Sequence, residues 1–445
     1  MILVQPDKSW SQVDLIREAF HYQGRFEGST MVFKIDFPVT QDTLFPSLVN
    51  DLALLAHTGF KVVIVPGAKE WIDSVLNKYG IVCQYKNGLR ITTADAMPFV
   101  QMAALHTATR FMTGFSGSRT EAVIGNFVRA RGLGILDGTD MEHTGTVDKF
   151  YIDSLNRVLE LGMIPILPCI GWSPAGKPYN VSSDEIAFQA ASKLQAIKLF
   201  IVSLSGGIRK GNYNIPDSIE TGENGRVIRL TPAEAAKIAE ANSHIRSDDK
   251  ALNELKLAIK ASVAGVERIH IIYGAEEGAV LKELFSNLGA GTMVYADEYE
   301  SIRALHSKDI PDILRLMEPL MQDGFLIRRS QEDIQNKKDD YAVFEIDGRI
   351  HACGALHDWG ENQGEIAAIA TDPGFSDLGL GRRIVHYLVE KAGKAGMRRV
   401  FVLTTRTHDW FESLGFRESS VESLPLKKRA IYNTLRNSKV FSLDL

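Results

Sequence analysis

GEIAAIATDPGFSDLGLGRRIVHYLVEKA, residues 364–392, decides how this chain folds and what it binds. The first eight residues, GEIAAIAT, predict a strand ending at Thr371. A loop follows, and Gly379-Leu380-Gly381 opens a helix. The first N–H groups of a helix are unpaired and point outward, and with the helix dipole they attract phosphate. Glycines let the backbone approach an anion closely. Arg382 and Arg383 lie in the first turn, where they oppose the dipole, so a bound anion would account for them. Strand side chains alternate, so Glu365 is expected to share a sheet face with Ala367 and Ile369.

Outward from this segment, strands and helices continue. Residues 398–405 (RRVFVLTT) predict a strand, and 408–416 (HDWFESLGF) a short helix stopped by glycine. Upstream, YAVFEIDGRIHACGALHDW (341–359) predicts two strands around the Asp347-Gly348 turn. SIRALHSKDIPDILRLMEPLM (301–321) predicts strand, turn and amphipathic helix. These elements form an α+β domain expected over 296–445.

Farther upstream, residues 10–22 (WSQVDLIREAFHY) have helical apolar spacing, giving an N-terminal helix over 1–24. Strands at 31–37, 61–67, 163–171, 198–204 and 267–274 are interleaved with helices at 48–59, 185–196, 248–264 and 277–287. GAGT (289–292) reads as a glycine-rich break. That alternation predicts an α/β domain over 25–295, its mainly parallel central sheet covered on both faces.

Composition is that of a globular chain: 445 residues, 45% hydrophobic, 24% charged, net charge −5 with both signs mixed. The balance argues against a nucleic-acid or membrane-surface partner. Cys83, Cys169 and Cys353 are far apart and lack metal-site spacing, so buried thiols and no metal are expected. The start, MILVQPDKSWSQVDLIREAF, has no basic segment followed by a long apolar run, and no 18-residue apolar stretch occurs. A cytoplasmic protein is the expectation.

The order helix, hairpin, strand, glycine loop, helix, strand and DWFESLGF resembles the GCN5-related N-acetyltransferase family over roughly 300–445. The resemblance implies acetyl-CoA as co-substrate. Its pantetheine arm would pair with a splayed strand at Ile369, Ala370 and Thr371, and its pyrophosphate would lie on Gly379, Leu380, Gly381 and Arg382. Two positions depart from the family pattern. Ser376 stands where Gln or Arg usually begins the loop, and Phe411 stands where a tyrosine often protonates the leaving thiolate. Either another group donates that proton, or CoA leaves as a thiolate that solvent protonates.

The segments GFLIRRS (324–330), GEIAAIAT (364–371), FVLTTRTHDWFESLGF (401–416) and LKKRAIYNTLRNSKV (426–440) are similar to the acetyltransferase domain of bacterial N-acetylglutamate synthases. That similarity implies L-glutamate as the acetyl acceptor. Arg328, Arg436 and Ser438 match positions that hold its carboxylates, and the backbone at Leu326 and Ala368 matches positions that touch it. Arginine forks suit carboxylates. Glu365 matches the proposed base, which takes a proton from the attacking ammonium group directly or through water. Thr404 matches a hydroxyl near the thioester, and Tyr432 is a further candidate proton donor.

Residues 25–295 resemble the amino-acid kinase fold, nearest to N-acetylglutamate kinase. Lys34, Arg90, Asn180, Asp184 and Lys210 match kinase positions. The phosphate glycines do not: a K-x-G-G segment is Lys34-Ile35-Asp36-Phe37 here, and H-G-G-G is Pro66-Gly67-Ala68-Lys69. Asp36 would repel phosphate by about 4 kcal/mol at 4 Å and an effective dielectric of 20, so no kinase activity is expected. The resemblance also implies an L-arginine effector site at Tyr22, His270, Glu283 and Gly289, and a homo-oligomer, with a hexamer in view because N-terminal helices in this family interlace subunits. The expectation is an arginine-regulated glutamate N-acetyltransferase. The alternatives are a bifunctional synthase/kinase and a non-catalytic sensor of arginine and acetyl-CoA.

Overall fold

Along residues 30–35, Met31, Phe33 and Ile35 pack into one apolar core and Val32 into another. A strand buried on both faces belongs in the middle of a parallel sheet, and that is where this one lies. The computed structural model describes residues 23–24, 26–217, 219, 221–222, 224–246, 248–285, 291–295, 300–346, 349–373 and 379–445. The chain divides into two compact units, Met1–Ala296 and Asp297–Leu445.

In the first unit an eight-stranded sheet runs in the order Arg229–Leu230, Gly291–Tyr295, Arg268–Tyr273, Lys198–Ser203, Thr30–Ile35, Lys61–Pro66, Ile164–Ile166, Ala122–Ile124. All pairs are parallel except Arg268–Tyr273 with Gly291–Tyr295. Helices Ser183–Lys193 and Lys250–Val263 supply Ile186, Ala190, Leu255 and Ala258 to one face. Helices Phe45–His57 and Met97–Phe115 supply Leu48, Leu52 and Phe111 to the other. The mainly parallel sheet covered on both faces is the expected architecture.

Two local expectations need correction. The apolar run 163–171 is two strands, Ile164–Ile166 and Ile170–Trp172, and the second joins a separate closed barrel of four strands. Pro168 lies between them and removes a donor from any continuous ladder. The glycine-rich run 289–292 is not wholly a break: Gly291 and Thr292 begin an antiparallel strand. A side chain on Gly291 would strike the Ile271 carbonyl oxygen at 1.9 Å, so glycine here serves close backbone approach. The helix expected at 10–22 lies outside the described residues.

The second unit runs β1 (Glu300–Ala304), α1 (Ile310–Gln322), α2 (Gln331–Asn336), β2 (Tyr341–Ile346), β3 (Arg349–Asp358), β4 (Gln363–Thr371), α3 (Leu380–Lys394), β5 (Arg399–Thr404), α4 (His408–Ser413), β6 (Arg417–Ser419), α5 (Leu426–Ala430) and β7 (Lys439–Asp444). Its sheet order is β1-β2-β3-β4-β5-β7-β6. Every pair is antiparallel except β4 with β5. Ile384, Val385 and Leu388 of α3 cover one face. Ile313, Met317 and Met321 of α1 cover the other. Among the described residues no helix is long and apolar enough to cross a membrane.

Candidate active site

The site grows from the single parallel pair of the second sheet. β4 and β5 are in register only at Gln363–Arg399, Gly364–Val400 and Glu365–Phe401. Beyond Glu365 they separate: β4 stays on β3 as far as Thr371, and β5 stays on β7 as far as Thr404. Among the described residues, the β4 edge facing β5 therefore offers backbone groups with no ladder partner over Ile366–Thr371. Unpaired backbone groups at such an edge can hydrogen-bond an extended amide-bearing ligand.

A bulge shapes this edge. Ala355 pairs with Ala367 and Cys353 with Ala370, so Ala368 and Ile369 share one position opposite Gly354. Ala368 has φ +56°, a left-handed conformation uncommon for alanine. The extra residue reverses the alternation. Ala368 and Ala370 pack on the α1 face, while Ile369 packs on the α3 face. The expectation that Glu365, Ala367 and Ile369 share one face is thus corrected at Ile369.

Past the loop, Gly379 caps α3 at φ +58°, with nothing within 4 Å of where a side chain would begin. Gly381 lets the Trp410 ring approach, since a Cβ there would sit 3.3 Å from it. Arg382 is exposed with no partner among the described residues, whereas the Arg383 guanidinium lies 4.5 Å over the Phe344 ring. Leu380 is buried as the first anchor of α3 in the core. Among the described residues the helix start thus presents open amides and one cation without a partner, Arg382. Ser376 lies outside the described residues.

Glu365 is 6% exposed. Its Oε2 accepts from Trp359 Nε1 at 2.8 Å, and Lys428 Nζ reaches Oε1 at 2.8 Å and Oε2 at 2.7 Å. Arg436 Nη2 donates to the carbonyls of Phe325 at 2.6 Å and Gly324 at 3.2 Å. This brings 436 to the segment carrying Leu326 and Arg328. Arg328 is exposed with no partner among the described residues. Arg406 stacks 4.8 Å over the Phe325 ring, so a second guanidinium reaches this segment. Ser438 is buried, and its carbonyl accepts from Tyr432 Oη at 2.7 Å.

Two family models match: the amino acid kinase family over residues 36–221 and the acetyltransferase (GNAT) family over 310–416. An amino-acid acetyltransferase of Photobacterium profundum is 34% identical over 453 residues, covering 98% of this chain and 99% of that protein. The chain belongs to the amino-acid acetyltransferase family. N-acetylglutamate synthase from Neisseria gonorrhoeae, solved with coenzyme A and L-arginine, is 33% identical with a TM-score of 0.84 over 98% of this chain and 99% of that one. The same enzyme solved with coenzyme A and N-acetyl-glutamate is 34% identical with a TM-score of 0.61 over the same shares.

For an amino-acid acetyltransferase, the proton inventory near β5 is the next question. Thr404 Oγ1 accepts from the Thr407 amide at 3.0 Å and shares a hydrogen bond with Thr407 Oγ1 at 2.8 Å. Its acceptor capacity thus holds the turn into α4. The Tyr432 proton lies on the Ser438 carbonyl. Phe411 is buried between Trp410 and Phe416 and carries no exchangeable proton. The three cysteines are free. Burial pushes the Cys353 thiol up to about 12 and the Cys169 thiol up to about 11, which suits packing and not nucleophilic chemistry.

The first unit of this acetyltransferase brings together His270 and Glu283, with Nδ1 and Oε1 2.6 Å apart. His270 stacks on Phe200, and burial with nearby Lys198 holds its imidazole at about 4, against the pull of Glu283. Tyr22 and Gly289 lie outside the described residues. The kinase-like positions form an ion cluster: Lys34 meets Asp36 at 2.6 Å and Asp184 at 2.9 Å, and Lys250 meets Asp36 at 2.5 Å. A Cβ on Gly67 would sit 2.8 Å from the Asp36 carboxylate, so that carboxylate fills the space the glycine leaves. Burial opposes the charge on Lys34, yet Asp184 and Asp36 overcome it and raise its pKa well above the usual value. Arg90 is paired with Asp73, and Asn180 donates to Thr92. Lys210 is exposed.

Lys428, Trp359 and Arg406 escaped the sequence. Lys428 lies 63 residues from Glu365, in a matching segment whose resemblance assigns it no role. Only the three-dimensional approach of α5 to β4 reveals the pair.

Proposed function

We propose that this chain transfers the acetyl group of acetyl-CoA to the α-amino group of L-glutamate, and that L-arginine binds its first unit as a feedback effector. The observation that carries the acceptor is the Arg436 fork laid against the Gly324–Phe325 backbone, three residues before Arg328 in the chain and on the same unit as the diverging strands. Cationic forks from two distant segments suit a ligand with two carboxylates. The solved relative bearing coenzyme A and N-acetyl-glutamate supports the same assignment. The remaining donors of Arg436 have no partner among the described residues and are free for the ligand.

On this reading the pantetheine arm pairs with the open edge at Ile369, Ala370 and Thr371. The pyrophosphate lies on the amides of Gly379, Leu380 and Gly381 with Arg382 beside it. Glu365 takes a proton from the glutamate ammonium, directly or through water. The amine nitrogen then bonds to the acetyl carbon, the C–S bond breaks, and CoA departs as a thiolate. With Phe411 inert and the Tyr432 proton on a carbonyl, solvent protonation of that thiolate fits the hydrogen bonds. The arginine assignment rests on the buried His270–Glu283 pair and on the relative solved with arginine. A carboxylate there suits a guanidinium.

A thiol-release assay with glutamate as acceptor tests this. Glu365→Gln should lose kcat by on the order of 100-fold or more. Arg436→Ala should raise KM for glutamate by roughly tenfold or more, since a charge-assisted hydrogen bond is worth about 1.5–3 kcal/mol. No glutamate-dependent thiol release from the wild type, or wild-type kinetics in both variants, would overturn the assignment.

A further inference from the structure

We propose that Lys428 is a positioning residue for the proton transfer, aiming Glu365 so that Oε1 alone is open to receive the proton; this rests on Glu365 being the base, as above. A carboxylate oxygen has about two in-plane acceptor directions. Oε2 receives Trp359 Nε1 at 2.8 Å and Lys428 Nζ at 2.7 Å, and both its directions are taken. Among the described residues Oε1 receives only Lys428, at 2.8 Å, and keeps one direction. The two oxygens of one side chain are thereby made unequal.

The surroundings are built to hold that inequality. Lys428 Nζ also lies 4.7 Å over the Trp359 ring, so the indole donates to the carboxylate at its edge and supports the ammonium on its face. The helix that delivers Lys428 is docked by a separate contact: the Leu426 amide donates to Glu361 Oε1 at 3.0 Å. Glu361 sits in a turn where Gly360, Glu361 and Asn362 all have positive φ, a sharp reversal that sets both Trp359 and Glu361. The Trp359 amide closes the turn on the Gln363 carbonyl at 3.2 Å. His357, opposite Glu365 in the β3–β4 ladder, does not compete. Its Nδ1 is engaged by Asp340 at 2.6 Å.

A bridging ammonium also restrains χ rotation. A carboxylate held at both oxygens and at an indole keeps one orientation through the approach of the amine. That is the geometric condition for efficient proton transfer. On this account Lys428 touches no substrate atom and transfers no proton; it acts through Glu365.

The test is a double-mutant cycle read by steady-state thiol release on Lys428→Met, Lys428→Arg, Glu365→Gln and the Glu365→Gln/Lys428→Met pair. Lys428→Met should lower kcat by on the order of tenfold while changing KM for glutamate by less than about twofold. Lys428→Arg, which keeps a bridging cation, should restore most of kcat. In the Glu365→Gln background, removing Lys428 should change kcat by less than about twofold. The double variant carries no unpaired buried charge, so it stays informative even where Lys428→Met fails to fold. An equal loss in both backgrounds, or wild-type kcat in Lys428→Met, overturns the proposal. A wild type without glutamate-dependent turnover, or a fully active Glu365→Gln, instead overturns the functional assignment beneath it.

Discussion

At the scale of single residues, His270 couples this chain's stability to pH. Burial and Lys198 hold its imidazole at about 4, against about 6.5 in an unfolded chain. The unfolded state therefore binds the proton first. The contribution of the neutral imidazole is fully present above pH 6.5, shrinks as pH falls below it, and is lost through pH 4. Urea unfolding of the first unit should lose stability by on the order of 3 kcal/mol over that window. His270→Gln should flatten the slope. A wild-type curve parallel to that of the variant from pH 7 to 4 would refute this. His270 and Glu283 were both nameable from the sequence, because a family resemblance puts them on one register. Lys428 and Trp359 were not: their meaning lies in contacts to Glu365 that no spacing encodes.

At the scale of elements, the open edge of β4 makes a prediction about exchange. Amides on that edge between Ile366 and Ala370 lack ladder acceptors toward β5, so they should exchange quickly in the free protein. Saturating acetyl-CoA should slow that segment by about tenfold or more, while β7, paired on both sides, stays slow throughout. Protection at α3 alone would argue against pantetheine pairing at this edge. The existence of β4 was readable from GEIAAIAT, but its bulge was not. Bulges of this kind favour glycine at the left-handed position, and here alanine occupies it at φ +56°. Nothing in two successive alanines and an isoleucine says that the face of the strand changes between them. The second sheet's last strand, β7, was also invisible, since KVFSLD follows a polar segment with no turn signature.

At the scale of the whole chain, the two architectures follow from hydrophobic periodicity. Buried parallel strands such as KVVIVP are continuous apolar runs, and amphipathic helices such as IPDILRLMEPLMQ carry one apolar stripe. What periodicity could not show is the fate of charged residues inside the first sheet. Lys34 is 1% exposed, and Asp36, Asp184 and Lys250 gather near it. Asp36→Gly would open the space beside Gly67 that the carboxylate fills, but it would also strip Lys34 and Lys250 of a shared counterion. The expected outcome is a loss of about 3 kcal/mol in the first unit, the low end for a broken buried pair because Lys250 is partly solvated. Calorimetry measures the loss, and an ATP-dependent phosphorylation assay should stay at background in both forms. Kinase turnover in the variant would contradict this account.

The carboxylate beside Gly67 makes its place hard to vacate. An oxyanion that arrives and leaves must find its cations waiting, whereas one fastened to the main chain never departs and lets neighbouring side chains close over it. Evolution working one codon at a time would meet a less stable intermediate before gaining any catalytic advantage there, so the feature acts as a ratchet. Descendants of this chain should be freer to vary the residues around this cluster than to empty the space that the carboxylate fills.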